Sequence, residues 1–360
     1  MYIERLRLKS FRNYERAELE FSPLTNVIYG NNAQGKTNIL EAVYLFAQGR
    51  SHRAKSDKEL IRFGADSARL GLDFRDSSRA YSCEMKILGS GRKSVSVNHV
   101  HITKLSRLMS YLNVVMFSPE DLNIVKGSPS ARRRFIDSSV SQIYPAYLAS
   151  LMDYNKSLAQ KNSLLKLLRT KGRRSDPTLS VWNMQLAEEG SKIMKARADF
   201  IKTINEFAAG IQQEISGEKL TLRYMPSIKT ESMSAEELFG YLSEHEGREL
   251  DMASAMYGVQ RDDIEIFVND REAKLFGSQG QQRTAALSMK IAQAEYIKSI
   301  KDEYPVLLLD DIMSELDINR RMYLSERIRD KQVLITSTDT DLIDKDTQTR
   351  LFRIENGTVM

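Results

Sequence analysis

The stretch from Tyr29 to Asn38, "YGNNAQGKTN", decides how this chain is read. Gly30, Asn31, Asn32, Ala33, Gln34, Gly35, Lys36 and Thr37 fit the pattern GxxxxGK(S/T) in full. Before it, "NVIYG" is a short apolar run closed by glycine and reads as a strand; after it, Ile39, Leu40, Val43, Tyr44 and Phe46 recur at helical spacing. Strand, glycine loop and helix in that order make a cradle for a nucleoside triphosphate. Gly30 and Gly35 let the backbone wrap so that several N–H groups point inward, and the helix start adds its positive end. In such a cradle Lys36 reaches the β- and γ-phosphates and the Thr37 hydroxyl binds Mg²⁺. Without the flanking strand and helix, the same letters are only a glycine-rich turn.

A phosphate loop needs a carboxylate to hold Mg²⁺, at the end of a neighbouring buried strand. "VLLLDD" at 306–311 supplies Asp310 for the metal and Asp311 as the group that orients and deprotonates water. The two motifs lie far apart in sequence, and the chain between them changes character. From Tyr147, the positions Tyr147, Leu151, Tyr154, Leu158, Lys161, Leu165 and Leu168 are apolar or aromatic except Lys161, at alternating spacings of four and three. After "TKGRRSDPT" the rhythm resumes from Trp182 to Phe207. Two such helices joined by a short loop form an antiparallel coiled-coil hairpin with arms of about 35 to 45 Å at 1.5 Å per residue, or else an ordinary helical pair packed on the core. "ESMSAEELFGYLSEHEGRELD" reads as an acidic surface helix. Alternation between about Leu70 and Val100 indicates an antiparallel sheet.

Composition narrows the function classes. The 360 residues are 41% apolar and 28% charged, ordinary for a globular protein of about two domains. The longest apolar runs are far too short to cross a bilayer, and "MYIERLRLKSFRNY" lacks the apolar block of a secretory signal. Cys83 is the single cysteine, so no internal disulfide forms and a cytoplasmic setting is expected. With four histidines, none in ligand spacing, a zinc site is not expected. The net charge is +5, yet eleven Lys or Arg against two acids fall between Lys126 and Arg174. That block is either a solvated helix face or a footprint for a phosphate backbone. Its candidate contacts are Lys126, Arg132, Arg133 and Arg134 at the approach to the arm, and Arg173 and Arg174 at its tip.

"GSQGQQR" at 277–283, shortly before "LLLDDIMSELD", resembles the signature of ABC ATPases, with Ser278 placed to cap the helix that follows. Phosphate loop, helical insertion, signature, acidic strand and "SELD" follow the order of the SMC-like branch, which works on DNA. Within that branch the blocks "LRLKSFRNY", "YGNNAQGKTNILEAVYLFAQGRSHR", "VMFSPEDLNIVKGSPSARRRFID", "GSQGQQRTAALSMKIAQ" and "LLLDDIMSELD" resemble the RecF family of bacterial recombination mediators over nearly the whole chain. The resemblance implies an α/β ABC-type P-loop ATPase head with an inserted α-helical antiparallel coiled-coil arm: head residues 1–125, arm 126–215 and the rest of the head 216–360. It implies ATP and Mg²⁺ as cofactors, and a homodimer formed with ATP. There Ser278, Gln279, Gly280 and Gln281 meet the γ-phosphate of ATP held by the other copy, and Arg12 lies near the nucleotide. The implied partners are single-stranded and gapped DNA, RecR and RecO, with RecA loaded indirectly, in repair, replication restart and the SOS response. A structural DNA tether of SMC type is the nearer rival reading, disfavoured by the short arm, since such tethers carry far longer ones.

Three departures from the general ABC pattern are visible. Asp311 stands where transporter-type ATPases carry Glu, no histidine follows the last strand and Thr338 is the nearest substitute. "NVVMFSPEDL" has no glutamine, leaving Ser118, Glu120 or Asp121 as the γ-phosphate sensor. Slow hydrolysis, suited to a switch, is the expected consequence. A metabolic kinase or a membrane transport ATPase fits the arm, the signature and these departures less well.

Overall fold

A computed structural model describes residues 1–103, 105–339 and 349–360. The chain divides into two compact units: Met1–Asp121 with Glu214–Gly217 and Ala286–Met360, and Leu122–Gln213 with Glu218–Ala285.

The first unit contains two six-stranded sheets. In one, Val114–Phe117, Val306–Asp310, Val333–Ser337, Thr25–Tyr29 and Arg350–Glu355 lie side by side in parallel, and Thr358–Val359 closes the edge as an antiparallel partner. Val306–Leu309 and Val333–Ser337 are buried without alternation, as strands covered on both faces must be. The other sheet is antiparallel, in the order Tyr14–Glu20, Tyr2–Phe11, Ser67–Arg75, Ala80–Leu88, Lys93–Val97 and Val100–Ile102. Here burial alternates along the strands, so one face packs inward and the other meets water.

Between the sheets runs the helix Lys36–Gln48. Ile39, Leu40, Ala42, Val43, Leu45, Phe46 and Ala47 are all buried, and none of the helix residues is fully exposed, as expected of a helix enclosed between layers. One apolar cluster joins Phe46 and Leu40 to Leu8 and Leu72 of one sheet and to Leu308 and Leu334 of the other. This anchoring holds the start of the helix, and with it the phosphate loop, in a fixed place.

The second unit carries the helices Pro145–Thr170 and Thr178–Ser216, the latter ending in the first unit. Ser157 bonds Gln185, Tyr147 lies at Arg197, and Leu165 and Leu168 cluster with Leu179, so the two run antiparallel. At 1.5 Å per residue they are about 39 and 58 Å long, the second longer than the sequence rhythm suggested. The acidic segment is not merely surface. It forms Ala235–Glu244 and Glu246–Met252, which bury Leu238, Leu242, Glu249 and Leu250. A Cβ on Gly190 would stand 3.2 Å from Leu238, so glycine permits that approach.

These contacts, with the antiparallel sheet Leu220–Met225, Asp263–Val268 and Arg271–Glu272, bring residues 218–285 into the arm unit, where the sequence placed them in the head. The apolar faces that cover the arm helices are the reason. Lys161, the exception in the apolar rhythm, is fully buried and pairs with the equally buried Glu249. Arg197 is also buried, with Asp137 and Asp262 at 2.9 Å. Among the described residues no helix is long and apolar enough to cross a membrane.

Candidate nucleotide site

Gly30 leaves the strand Thr25–Tyr29 at φ 146°, and a Cβ there would fall 2.3 Å from the Ile354 carbonyl oxygen of the neighbouring strand. Only glycine fits both the angle and the space. The loop closes at Gly35, φ 114°, which starts the helix without any side-chain cap. The N–H groups of Lys36 and Thr37 are therefore available to an anion, while that of Asn38 donates to the Gly35 carbonyl at 3.0 Å.

Lys36 folds back over the loop, its Nζ donating to the carbonyls of Gly30 at 2.6 Å and Asn31 at 2.9 Å. Burial lowers its pKa, and the nearby charges of Asp311 and Asp310 oppose that effect. Thr37 Oγ1 donates to Asp310 Oδ1 at 2.8 Å, and Thr336 Oγ1 donates to the same oxygen at 2.7 Å. The parallel register pairs Asp310 with Thr336 and brings the two strand ends to the helix start. Asp311 follows in the left-handed region at φ 53°. Its N–H donates to Thr336 Oγ1, and Ser314 Oγ lies 3.1 Å from its carboxylate.

Three features here escaped the sequence reading. Asn13 Nδ2 donates to the Gln34 carbonyl at 2.7 Å, Asn38 Nδ2 donates to Asn13 Oδ1 at 2.9 Å, and Tyr14 OH donates to the Gly35 carbonyl at 3.0 Å. Burial raises the Tyr14 pKa above its ordinary value, so the phenol remains a donor into the alkaline range. From the other side the Asn356–Gly357 turn clamps Gln34, with N–H donors to its side chain and to its carbonyl. Thr336 supplies a second hydroxyl to Asp310, and Thr338, the nearest substitute for the missing histidine, is exposed. For Asn13 and Tyr14 the signal in the sequence is the block "FRNY" itself.

Arg12 lies in that block, but its guanidinium is committed elsewhere: two bonds to Glu41 at 2.8 and 2.6 Å and one to the Glu59 carbonyl at 2.9 Å. Burial alone would raise the Glu41 carboxyl; bonds from Arg12 and Ser51 overcome this and hold it below its ordinary value. Of the three sensor candidates, Asp121 accepts from the Ser118 N–H at 2.7 Å and lies 3.8 Å from Lys290.

In the second unit, Ser278 and Gln281 cap each other reciprocally: Gln281 N–H to Ser278 Oγ at 3.2 Å, Ser278 N–H to Gln281 Oε1 at 2.9 Å. Ser278 and Gln279 are exposed, Gly280 and Gln281 half-buried, and Gln281 also donates to Glu218. Exposed Leu275 and Phe276 precede them.

The basic candidates separate. Lys126, Arg134, Arg173 and Arg174 are exposed, and Arg174 pairs with Asp251 at 3.1 Å. Arg132 is buried, with Nε at 2.6 Å and Nη2 at 2.8 Å from the two oxygens of Asp263, and Arg133 donates to the Asp262 carbonyl. As a phosphate contact Arg132 is corrected, since its donors complete the fold of this unit, whereas half-buried Arg133 commits Nη1 to it.

A family model described as the RecF/RecN/SMC N terminal domain matches residues 2–359. The chain is 42% identical over 369 aligned positions to the DNA replication and repair protein RecF of Bacillus cereus (strain AH820), covering all of this chain and 98% of that one, and equally similar to the Bacillus thuringiensis (strain Al Hakam) protein of that description. The chain belongs to the RecF family. A solved structure of the recombination mediator protein RecF with ATPrS superposes on this RecF-family chain at a TM-score of 0.93 with 34% identity, covering 99% of this chain and 97% of that one. An Smc head bound to a ScpA domain, 17% identical at a TM-score of 0.57, shares the fold. The fold is therefore an ABC-type ATPase head with an inserted coiled-coil arm, as the sequence indicated.

Proposed function

We propose that this RecF-family chain is an ATP-gated, DNA-binding dimer that acts in recombinational repair and replication restart. The observation that carries the reading is the Thr37–Asp310 contact, which joins residues 273 positions apart at an uncapped helix start. A hydroxyl and a carboxylate are the hard oxygen donors Mg²⁺ prefers, so the residues present fit the metal. When bound there, Mg²⁺ offsets the charge of the β- and γ-phosphates. Gly30 to Thr37 hold the phosphates through backbone N–H groups and Lys36, while Asp311 orients the attacking water and accepts its proton. Asp311 is one methylene shorter than Glu, consistent with slow hydrolysis used as a switch.

Exposure of Ser278 on a capped helix start supports its meeting the γ-phosphate of ATP held by a second copy. Two ATP molecules would then complete two sites at one dimer interface, and hydrolysis would reopen it. The partners of such a dimer are gapped or single-stranded DNA, RecR and RecO, with RecA loaded as the outcome. Lys126, Arg134, Arg173 and Arg174 remain the arm-side DNA candidates. Sedimentation with and without ATP tests the dimer: ATP should promote dimers of the unsubstituted chain and not of Ser278→Arg. ATP-independent dimers, or Ser278→Arg dimers as stable as the parent's, would refute it.

A further inference from the structure

The solvent face of the antiparallel sheet carries charge in rows that run across the strands, because the registers set residues directly opposite one another. In one row Glu20 faces Arg5 and Arg5 faces Asp73; in the next Glu18 faces Arg7 and Arg7 faces Gly71. The cations of these rows are compensated, Arg5 at 3.5 and 3.3 Å from Glu18 and Glu20, and Arg7 at 2.9 Å from Asp73. The third row differs. Arg16 faces Lys9, Lys9 faces Arg69, and Arg69 faces Lys86. Ser94 continues it, and no carboxylate interrupts it.

Among the described residues none of these four side chains makes an ion pair or a side-chain hydrogen bond. Like charges directly opposite on neighbouring strands destabilise a sheet. Three such pairs in succession, at about 4.8 Å per strand, place four cations within roughly 14 Å. A depression of about 610 Å³ follows the row, lined by Lys9, Arg16, Arg69, Lys86, Gly71 and Ser96. Gly71 adds no side chain to its floor, and beside it the buried Nε of Arg7 has no hydrogen-bond partner.

We propose that this row seats one phosphodiester strand of DNA. A linear, uncompensated series of cations matches an anion that repeats its charge, and a single phosphate would leave most of the row unpaired. Glu18 and Glu84 in the adjacent row confine the anion to one track. The rows present Arg, Lys, Ser, Gly and acidic residues, with His101 opposite Ser96 as the one ring lining the depression and no large aliphatic side chain. The face therefore lacks both the series of rings on which successive bases stack and the apolar anchor of a protein interface. Contact is with the backbone and independent of base sequence. The inference rests on the DNA-binding reading above and names a surface for it; the four residues are scattered through the first 86 positions and form no basic run.

The test uses the full chain with ATP and a gapped duplex, with affinity measured by fluorescence anisotropy over a series of salt concentrations. The variant Lys9→Gln/Arg16→Gln/Arg69→Gln/Lys86→Gln should flatten the slope of log affinity against log salt by about 3.6, at about 0.9 per phosphate contact. Its melting temperature should not fall, because repulsion has been removed. The charge-retaining Arg16→Lys/Arg69→Lys should keep the parental slope. If the quadruple variant does not fold, Lys9→Gln/Arg69→Gln tests the same row, with an expected change of about 1.8. A slope unmoved by these substitutions overturns the row while leaving DNA binding intact. No DNA binding by the unsubstituted chain overturns both. Loss of polyglutamate binding with an unmoved DNA slope would make the row a seat for an acidic protein segment instead.

Discussion

Replacing Gly35 by alanine perturbs the phosphate loop in two separable ways. At φ 114° an L-residue is strained, by about 1–3 kcal/mol. The new Cβ would also lie 2.6 Å from Asn13 Nδ2 and 2.7 Å from Asn13 Oδ1, so the amide must move. Moving it breaks the bonds to the Gln34 carbonyl and from Asn38, at about 0.5–1.5 kcal/mol each. Gly35→Ala should therefore cost about 2–6 kcal/mol in total. Because both losses fall on the loop, ATP affinity should weaken at least tenfold, about 1.4 kcal/mol. In the background of Asn13→Ala the clash is already relieved, and Gly35→Ala should add only the backbone strain. The predicted coupling is about 1–3 kcal/mol between the two positions. Titration calorimetry with ATP, alongside thermal unfolding of all four proteins, reads it. Strict additivity would show that Asn13 does not hold the loop, and its role as a clamp would be refuted.

Other expectations follow from the same physical arguments. Lys161→Met leaves Glu249 buried without its partner and should cost about 3–5 kcal/mol in denaturant unfolding, whereas Lys161→Met/Glu249→Leu should recover most of that loss. Arg132→Ala should lower stability by about 1.5–3 kcal/mol yet leave the salt slope of DNA binding unchanged, since its donors are taken by Asp263. The Glu41 carboxyl is held below its ordinary value of 4.5, so the unfolded chain binds more protons in acid. The stability it contributes is present above pH 4.5 and declines as pH falls through the folded value; acid-unfolding curves of Glu41→Gln should lack that component.

Much of the site was legible because its chemistry is local. A glycine loop between an apolar run and a helical repeat specifies its own backbone, and acids that end a buried strand specify theirs. Ser278 as a cap was readable for the same reason, since a capping box spans only four residues. The helix rhythm from Tyr147 to Leu168 was equally plain, and even its exception, Lys161, marked a real feature. Arg132 misled because a charged side chain in a basic run carries no mark of whether its partner is solvent, phosphate or a carboxylate 131 positions away.

By itself, then, the sequence determined the strand–loop–helix cradle, the Asp310–Asp311 strand end, the signature helix and the arm. Periodicity, glycine placement and capping act within a few residues and can be read in order. Only the tertiary structure decided that Thr336 shares Asp310 with Thr37, that Asn13, Tyr14 and Gly357 brace the loop from outside, and that Arg16, Lys9, Arg69 and Lys86 stand in one line. Strand order and register set those meetings, and a strand's own pattern records which face is buried without recording which strand lies beside it.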